Sequence, residues 1–229
     1  MRSSWWSRRG RERSRNSDAA ALGQRGRSVL AVLVDGAEKG PGGAELARYW
    51  VKVGFQALAE ESLDSSGSIL ARLEYEQAQL RDCFLHDVAS YCLVRINRRT
   101  LLGEVWHCGD CRVGIRQQSG TRWLTTPHTM AHQPGLPSCV WAEEEARRAR
   151  TLTRALTARR FETPEHISFE LHGGQKLLLC TDGYWQEQTK IATAPYRPLD
   201  DASLLTISPE TGTFDNADQD SDTDNFHHL

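Results

Sequence analysis

The chain has 229 residues, 39% of them hydrophobic and 25% charged, with a formal net charge of −2 at pH 7. That is the composition of an ordinary globular domain with a sizeable core. No apolar run approaches the roughly 20 residues that span a bilayer, the arginine-rich start lacks the apolar stretch of a secretory signal, and six cysteines are too sparse for a disulfide scaffold.

The charge is unevenly distributed. Residues 1–27 carry eight arginines against Glu12 and Asp18, and residues 210–229 carry six acids and no lysine or arginine. Residues 1–12 read as a basic flexible arm, residues 13–208 as the folded domain, and residues 209–229, rich in Asp, Asn and Thr, as an acidic disordered tail. Trp5 and Trp6 among arginines could suit a single-stranded nucleic acid, but twelve residues are thin support and that partner is not expected. With reduced thiols and no spanning segment, the chain is expected to be cytoplasmic. Its oligomeric state is not legible.

Residues 28–34 (SVLAVLV) form a β-branched apolar run that stops at Asp35-Gly36, the pattern of a buried strand ending in a turn. After the loop Gly40–Gly43, residues 44–63 place Leu46, Trp50, Val53, Ala57 and Leu58 at helical spacing. Residues 68–86 predict a second helix. Strands are predicted at 89–96, 101–107, 112–116 and 122–125, with a hairpin turn at Ser119-Gly120. Three prolines make 127–140 a loop, 142–157 is predicted as a charged helix, and strands return at 166–171, 176–181 and 203–207. The sum is an α+β fold, a central sandwich of two antiparallel sheets with helices outside.

Aspartates gather where strands meet turns: Asp18, Asp35, Asp110, Asp182, Asp200 and Asp201. Each alone is an ordinary turn residue. Together they are more informative, because hard carboxylate oxygens select magnesium or manganese, and converging acids repel one another unless a cation neutralises them.

On these residues the chain resembles bacterial protein phosphatases of the metal-dependent 2C (PPM) family. Arg13-Ser14-Arg15-Asn16-Ser17-Asp18-Ala19 is similar to the family's opening motif, and VLAVLVDG (29–36) to its first metal-binding strand. HCGDCRVGI (107–115) resembles its Gly-Asp-Ser-Arg motif, with cysteine for serine. LTTPHTMA (124–131) resembles its Leu-Thr-x-Asp-His segment, with Pro127 for the aspartate. TLTRAL (151–156), KLLLCTDGYW (176–185) and DDASLLTI (200–207) follow in family order. Ala37, Glu38 and Lys39 occupy a stretch where the family commonly has His or Met and a glycine pair, and Val88-Ala89-Ser90 replaces its Gly-Thr-Thr, which reads as a packing change.

The resemblance implies a β-sandwich flanked by helices that hydrolyses phosphoserine and phosphothreonine in a phosphoprotein, using water activated by two Mn2+ or Mg2+ ions. Asp35 would bridge both ions, with the Gly36 carbonyl beside it. Asp182 and Asp200 would complete one ion, Asp18 would serve the other, and Asp110 would help hold a weaker third. Arg13 would grip the substrate phosphate. Asp35, Asp182 and Asp200 would thus carry catalysis. It also implies that the Asp182–Asp200 segment, short for the family, lacks helices usually found there. Two other readings come from the residues: a zinc or redox site at Cys108-x-x-Cys111, with His107 and Cys139 as possible additions, and a 2C-like module that binds a phosphoprotein or partner without turnover. His86, His128 and His132 read as structural hydrogen-bonding groups.

Overall fold

The structure is a computed structural model, and it describes residues 1–37, 40–60, 66–136, 141–191, 198–210, 214–216 and 221–229. Glu38, Lys39 and Cys139 lie outside the described residues. The chain opens with three strands, β1 (Arg2–Arg8), β2 (Asp18–Arg25) and β3 (Ser28–Ala37), then two helices, α1 (Gly43–Glu60) and α2 (Ser66–Gln79). A meander follows: β4 (Val88–Asn97), β5 (Leu102–Cys108), β6 (Arg112–Gln117) and β7 (Gly120–Trp123). Helix α3 (Ala142–Arg150) precedes β8 (Leu156–Thr157), β9 (Glu165–Glu170), β10 (Lys176–Cys180), α4 (Asp182–Ile191) and β11 (Ala202–Ser208). Two short strands, β12 (Phe214–Asn216) and β13 (Phe226–His228), complete the described chain.

The strands form two sheets, ordered β12-β1-β11-β10-β6-β7 and β13-β2-β3-β4-β5-β9, with β8 on the edge of β4. The expected α+β sandwich is present. Its pairing is mixed rather than wholly antiparallel, because β12 runs parallel to β1 and β13 parallel to β2. The run at 28–34 is continuously apolar because both faces of β3 are covered. Val29, Ala31 and Leu33 face the sandwich interior with Val113, Leu177, Leu205 and Ile207 of the other sheet. Leu30, Val32 and Val34 face Leu46, Trp50 and Val53 of α1. Each buried Val, Leu or Ile side chain among them contributes about 1.5–3 kcal/mol. On the outer face of the first sheet, Tyr184 and Trp185 of α4 pack on Leu178, Cys180 and Leu204.

Two expectations at the ends of the chain are corrected. Residues 2–8 are not a flexible arm: β1 lies between β11 and β12, paired with β11 from Arg2↔Ser208 to Arg8↔Ala202. Ser3, Trp5 and Ser7 point inward, Trp5 is fully buried, and its indole N–H donates to the Asp222 carbonyl at 3.0 Å. That burial removes Trp5 as a platform for nucleic-acid bases. Residues 221–229 are not a disordered tail. Asn225 is buried and donates to Ser7 Oγ (3.0 Å) and to the Asp18 carbonyl (3.1 Å), and β13 pairs with β2 from Ala20 to Leu22. Both segments are held because a sheet edge accepts any backbone.

Helix boundaries also differ. The helix expected to 157 ends at Arg150, where β-branched Thr151 and Thr153 follow and the edge of β4 takes Leu156 and Thr157 as partners. The second helix gives way to a 3-10 turn at Leu80–Asp82. The segment after Asp182 does contain one helix, α4, over its first ten residues.

Candidate metal centre

The acids picked out in the sequence meet at one end of the sandwich. Asp18 at the start of β2 pairs directly with Asp35 near the end of β3. Asp182 begins α4 immediately after β10, Asp200 and Asp201 precede β11, and Asp110 sits in the turn between β5 and β6. Antiparallel pairing of β2 with β3 and of β10 with β11 and β6 puts these strand ends side by side. Glycine is required at the close approaches. A Cβ on Gly36 would collide with the Gly43 carbonyl, and a Cβ on Gly109, which sits at φ +103°, would collide with the Ser90 hydroxyl.

Asp18 is fully buried. Its Oδ2 accepts from Thr181 Oγ1 (3.0 Å) and Ser203 Oγ (2.6 Å), while its Oδ1 is buried with no hydrogen-bond partner among the described residues. Burial pushes its carboxyl well above the usual carboxylate range, and Asp201 adds to the rise. Asp35 is raised likewise by burial and then by Asp18, Asp182, Asp110 and Asp200. Asp182 is raised by burial and then by Asp110, Asp200 and Asp18. Three buried acids, each raised by burial and by neighbouring carboxylates, lack positive charge at their centre. An orphaned carboxylate oxygen and mutually repelling hard oxygen donors fit a divalent cation. Among the described residues these acids do not form a group whose ligand atoms all lie within 4.8 Å of one another.

Arg13 is brought to the site, where it is paired with Asp200. Its Nε and Nη2 donate to Asp200 Oδ1 at 2.8 and 2.6 Å, with 25% of the Arg13 side chain and 42% of Asp200 exposed. The arginine expected to hold phosphate is thus paired with an acid expected to hold metal. Asp201, to which the sequence assigned no separate role, has a definite task. Its two oxygens accept from the Gly10 N–H (2.8 Å) and the Ser17 N–H (2.7 Å), fixing residues 10–17 over the acids.

The turn holding Asp110 is braced from three sides. Ser90 Oγ donates to Asp110 Oδ1 at 2.6 Å and accepts from the Asp110 N–H at 3.1 Å. Ser90 is therefore a support for a site residue, and its reading as a packing change is corrected. Trp185 donates its indole N–H to the Asp110 carbonyl at 3.0 Å. The Arg112 guanidinium lies over Trp123 at 4.0 Å and Trp185 at 5.1 Å. Third, the Gly109 N–H donates to His128 Nδ1 at 3.1 Å.

His128 belongs to a second cluster, with His107 and Glu165, that was not foreseen. Among the described residues this is the group of three whose ligand atoms lie within 4.8 Å of one another. His107 and His128 are stacked, with centroids 4.5 Å apart, and their Nε2 atoms lie 2.7 and 3.5 Å from Glu165 Oε2. The hydrogen bonds point to a closed knot rather than a metal site. Because His128 Nδ1 accepts from Gly109, its proton sits on Nε2, facing the carboxylate, and His107 Nε2 faces the same oxygen. A cation there would push protons onto His128 Nδ1, against the Gly109 N–H, and onto His107 Nδ1, which is buried with no partner. Burial pushes His107 down to about 4 and lowers His128 as well.

The Cys108-x-x-Cys111 reading finds no support in the geometry. Cys108 packs on the helix side of its sheet and Cys111 between the sheets, so the thiols occupy different cores. Both are buried, and burial pushes Cys108 up to about 12. His86 is exposed, and His132 Nδ1 pairs with Thr129 Oγ1 at 2.9 Å.

Known proteins share this architecture. A serine/threonine phosphatase from S. agalactiae superposes with a TM-score of 0.74 at 20% identity, covering 91% of this chain and 99% of its own. The catalytic domain of the serine/threonine phosphatase PstP, solved in complex with two manganese ions, gives 0.59 at 18% identity over 89% of this chain and 96% of its own. RsbX, solved in complex with magnesium, gives 0.59 at 11% identity over 88% and 92%. No family model matches the sequence, and no curated protein matches it. The chain therefore has the fold of bacterial PPM-type serine/threonine phosphatases over about nine-tenths of its length. No helix among the described residues is long and apolar enough to cross a membrane.

Proposed function

We propose that this chain is a metal-dependent phosphoprotein phosphatase acting on phosphoserine and phosphothreonine in the cytoplasm. The observation that carries the proposal is the cluster of Asp18, Asp35 and Asp182, each buried and raised by burial and by neighbouring carboxylates, with an orphaned oxygen on Asp18. Asp35 and the Gly36 carbonyl would hold both of two Mg2+ or Mn2+ ions, Asp182 and Asp200 one of them, Asp18 the other, and Asp110 a weaker third. Such ions supply the positive charge that makes water a nucleophile near neutral pH and offsets charge on the phosphoryl oxygens.

The chain's own groups bind and orient. Asp200, once turned inward, releases the Arg13 fork that now holds it, and the fork matches two phosphoryl oxygens. Thr181 and Ser203 hold one oxygen of Asp18 fixed, so its other oxygen keeps its direction. Asp201 keeps residues 10–17, and with them Arg13, against the acids. Ala37 offers no proton donor, so the leaving oxygen takes its proton from water.

The test is hydrolysis of a phosphothreonine peptide with and without manganese, beside Asp182→Asn. Manganese-dependent turnover that EDTA abolishes and Asp182→Asn lowers by at least about 100-fold is expected. A folded protein without turnover would refute the proposal. A second reading, a 2C-like module that binds a phosphoprotein without turnover, is favoured by the Arg13–Asp200 pair, which occupies both groups. Manganese binding with no hydrolysis would establish it.

A further inference from the structure

Apart from Arg13, several arginines near the start of the chain lie outside the centre just described. Arg8, Arg9, Arg11 and Arg15 line a cleft of about 670 Å³ together with Arg48 of α1. The acids in its lining are Asp222 and Asp224. Asp222 is anchored, its Oδ2 accepting from the Arg9 N–H and from Asn16 Nδ2, each at 2.9 Å. Asp224 is loosely held, 3.7 Å from Arg48 Nη2 with 81% of its side chain exposed. Elsewhere in the cleft, Arg9 Nη1 donates to the neutral Ser14 carbonyl at 2.8 Å, Arg11 lies 3.9 Å from Glu12, and Arg15 is paired with Glu45.

The cleft shares a wall with the aspartate centre. Gly10 lines it while donating to Asp201, and Arg11 donates its N–H to the Pro198 carbonyl at 3.0 Å. Arg11 and Arg13 are two positions apart on one segment, so their Cα atoms are separated by at most about 7 Å. A short stretch of extended peptide would reach from one to the other. The C-terminal segment already shows the chemistry the cleft accepts, since it seats two carboxylates there at positions i and i+2.

We propose that this cleft binds a second phosphoryl group on the same peptide, a few residues from the one being hydrolysed, in competition with Asp224. The inference rests on the phosphatase reading for the identity of the peptide. Guanidinium forks match phosphate oxygens in pairs, and a doubly charged group has more to gain than a carboxylate from arginines outnumbering the acids beside them. The preference is therefore for multiply phosphorylated segments, and it weakens with salt because the cleft is open to solvent.

The experiment is a fluorescence-anisotropy titration of the full chain, in EDTA so that no peptide turns over. It compares a labelled peptide phosphorylated on two threonines three residues apart, the same peptide phosphorylated once, and one carrying glutamate at the second position. The doubly phosphorylated peptide is expected to bind about 10-fold more tightly than the other two. Arg11→Gln combined with Arg48→Gln should remove that advantage, and Asp224→Asn should increase it two- to threefold. Arg11→Gln alone, an exposed change that leaves the fold intact, should remove part of it. Equal affinity for all three peptides, or an advantage that survives in both arginine variants, would overturn the proposal. Displacement by a short single-stranded oligonucleotide at lower concentration than by the doubly phosphorylated peptide would overturn it too, in favour of nucleic acid. Turnover of p-nitrophenyl phosphate by the wild type with manganese reports on the phosphatase reading alone. Its absence alongside the 10-fold preference would sink that reading and support the cleft.

Discussion

Two clusters of titratable side chains lie on either side of the Gly109-Asp110 turn, and they solve opposite problems. In the His107–His128–Glu165 knot each imidazole presents Nε2 to one carboxylate oxygen, and His128 Nδ1 takes a backbone N–H. In the aspartate cluster, Asp18, Asp35 and Asp182 are each raised by burial and by neighbouring carboxylates, and Asp18 Oδ1 has no hydrogen-bond partner among the described residues. Proximity is tighter in the knot, yet the open cluster is the better metal candidate. Counting donors against acceptors, rather than measuring closeness, is what separates a support from a site.

The largest expected effect breaks the comparison if it fails. Manganese should stabilise the wild type by about 2.7 kcal/mol at 100 times its dissociation constant, read as a rise in Tm. Asp35→Asn should lose that rise and any turnover together. In metal-free buffer the same variant should unfold no more easily than the wild type, because it removes a repelling charge. A variant that keeps the manganese-induced rise would show that the cation is held elsewhere.

Glu165→Ala attacks the other cluster. It leaves two imidazole N–H groups without their acceptor, one of them on the fully buried His107. The expected cost is about 2 kcal/mol of unfolding free energy, with the manganese-induced rise in Tm retained. Loss of that rise in Glu165→Ala, with no loss of metal-free stability, would make the knot a metal site after all.

A pH series sharpens the same point. His107 is depressed from its ordinary value near 6.5 to about 4 in the folded state. Below pH 6.5 the unfolded chain binds a proton that the folded chain refuses, so stability falls as pH falls from 6.5 towards 4. At pH 5.0 this group alone costs about 2 kcal/mol relative to pH 7.5. Arg154 also holds the proton off, while Glu165 favours it. The buried aspartates contribute with the opposite sign, so the quantity to read is the difference between wild type and His107→Gln in urea unfolding at the two pH values. An unchanged difference would place His107 in ordinary solvent-like surroundings.

These contrasts also show what the sequence could carry. The strand ending at Asp35, the strand leading to Asp182 and the helix with Leu46, Trp50 and Val53 were legible, because periodicity and turn residues are local. The first strand was hidden by composition: Ser3, Trp5 and Ser7 alternate inward, but arginines at 2, 8 and 9 outweigh them. Strand β13 has only three residues, too few to show a period. Glu165 lies 58 positions from His107, and only pairing of β5 with β9 brings them together. Asp201 was in view beside Asp200, but its task depends on backbone N–H groups of residues 10 and 17, which no side-chain pattern reveals.

The smallest effect concerns Ser90, which links the two clusters through the turn they share. Ser90 Oγ both donates to the Asp110 carboxylate and accepts the Asp110 N–H, while the neighbouring Gly109 N–H goes to His128. Ser90→Ala removes the first two contacts and leaves the third. The lost hydrogen bond to a charged group is worth about 1.5–3 kcal/mol when buried, but Asp110 keeps its backbone anchor through Trp185. The change should therefore appear as a several-fold higher manganese concentration for half-maximal turnover, with maximal turnover nearly unchanged. Ser90→Thr, which keeps the hydroxyl, should restore the manganese dependence. If Ser90→Ala instead lowers maximal turnover at saturating manganese, then the Asp110 turn acts on the reacting phosphate and not only on a weakly held cation.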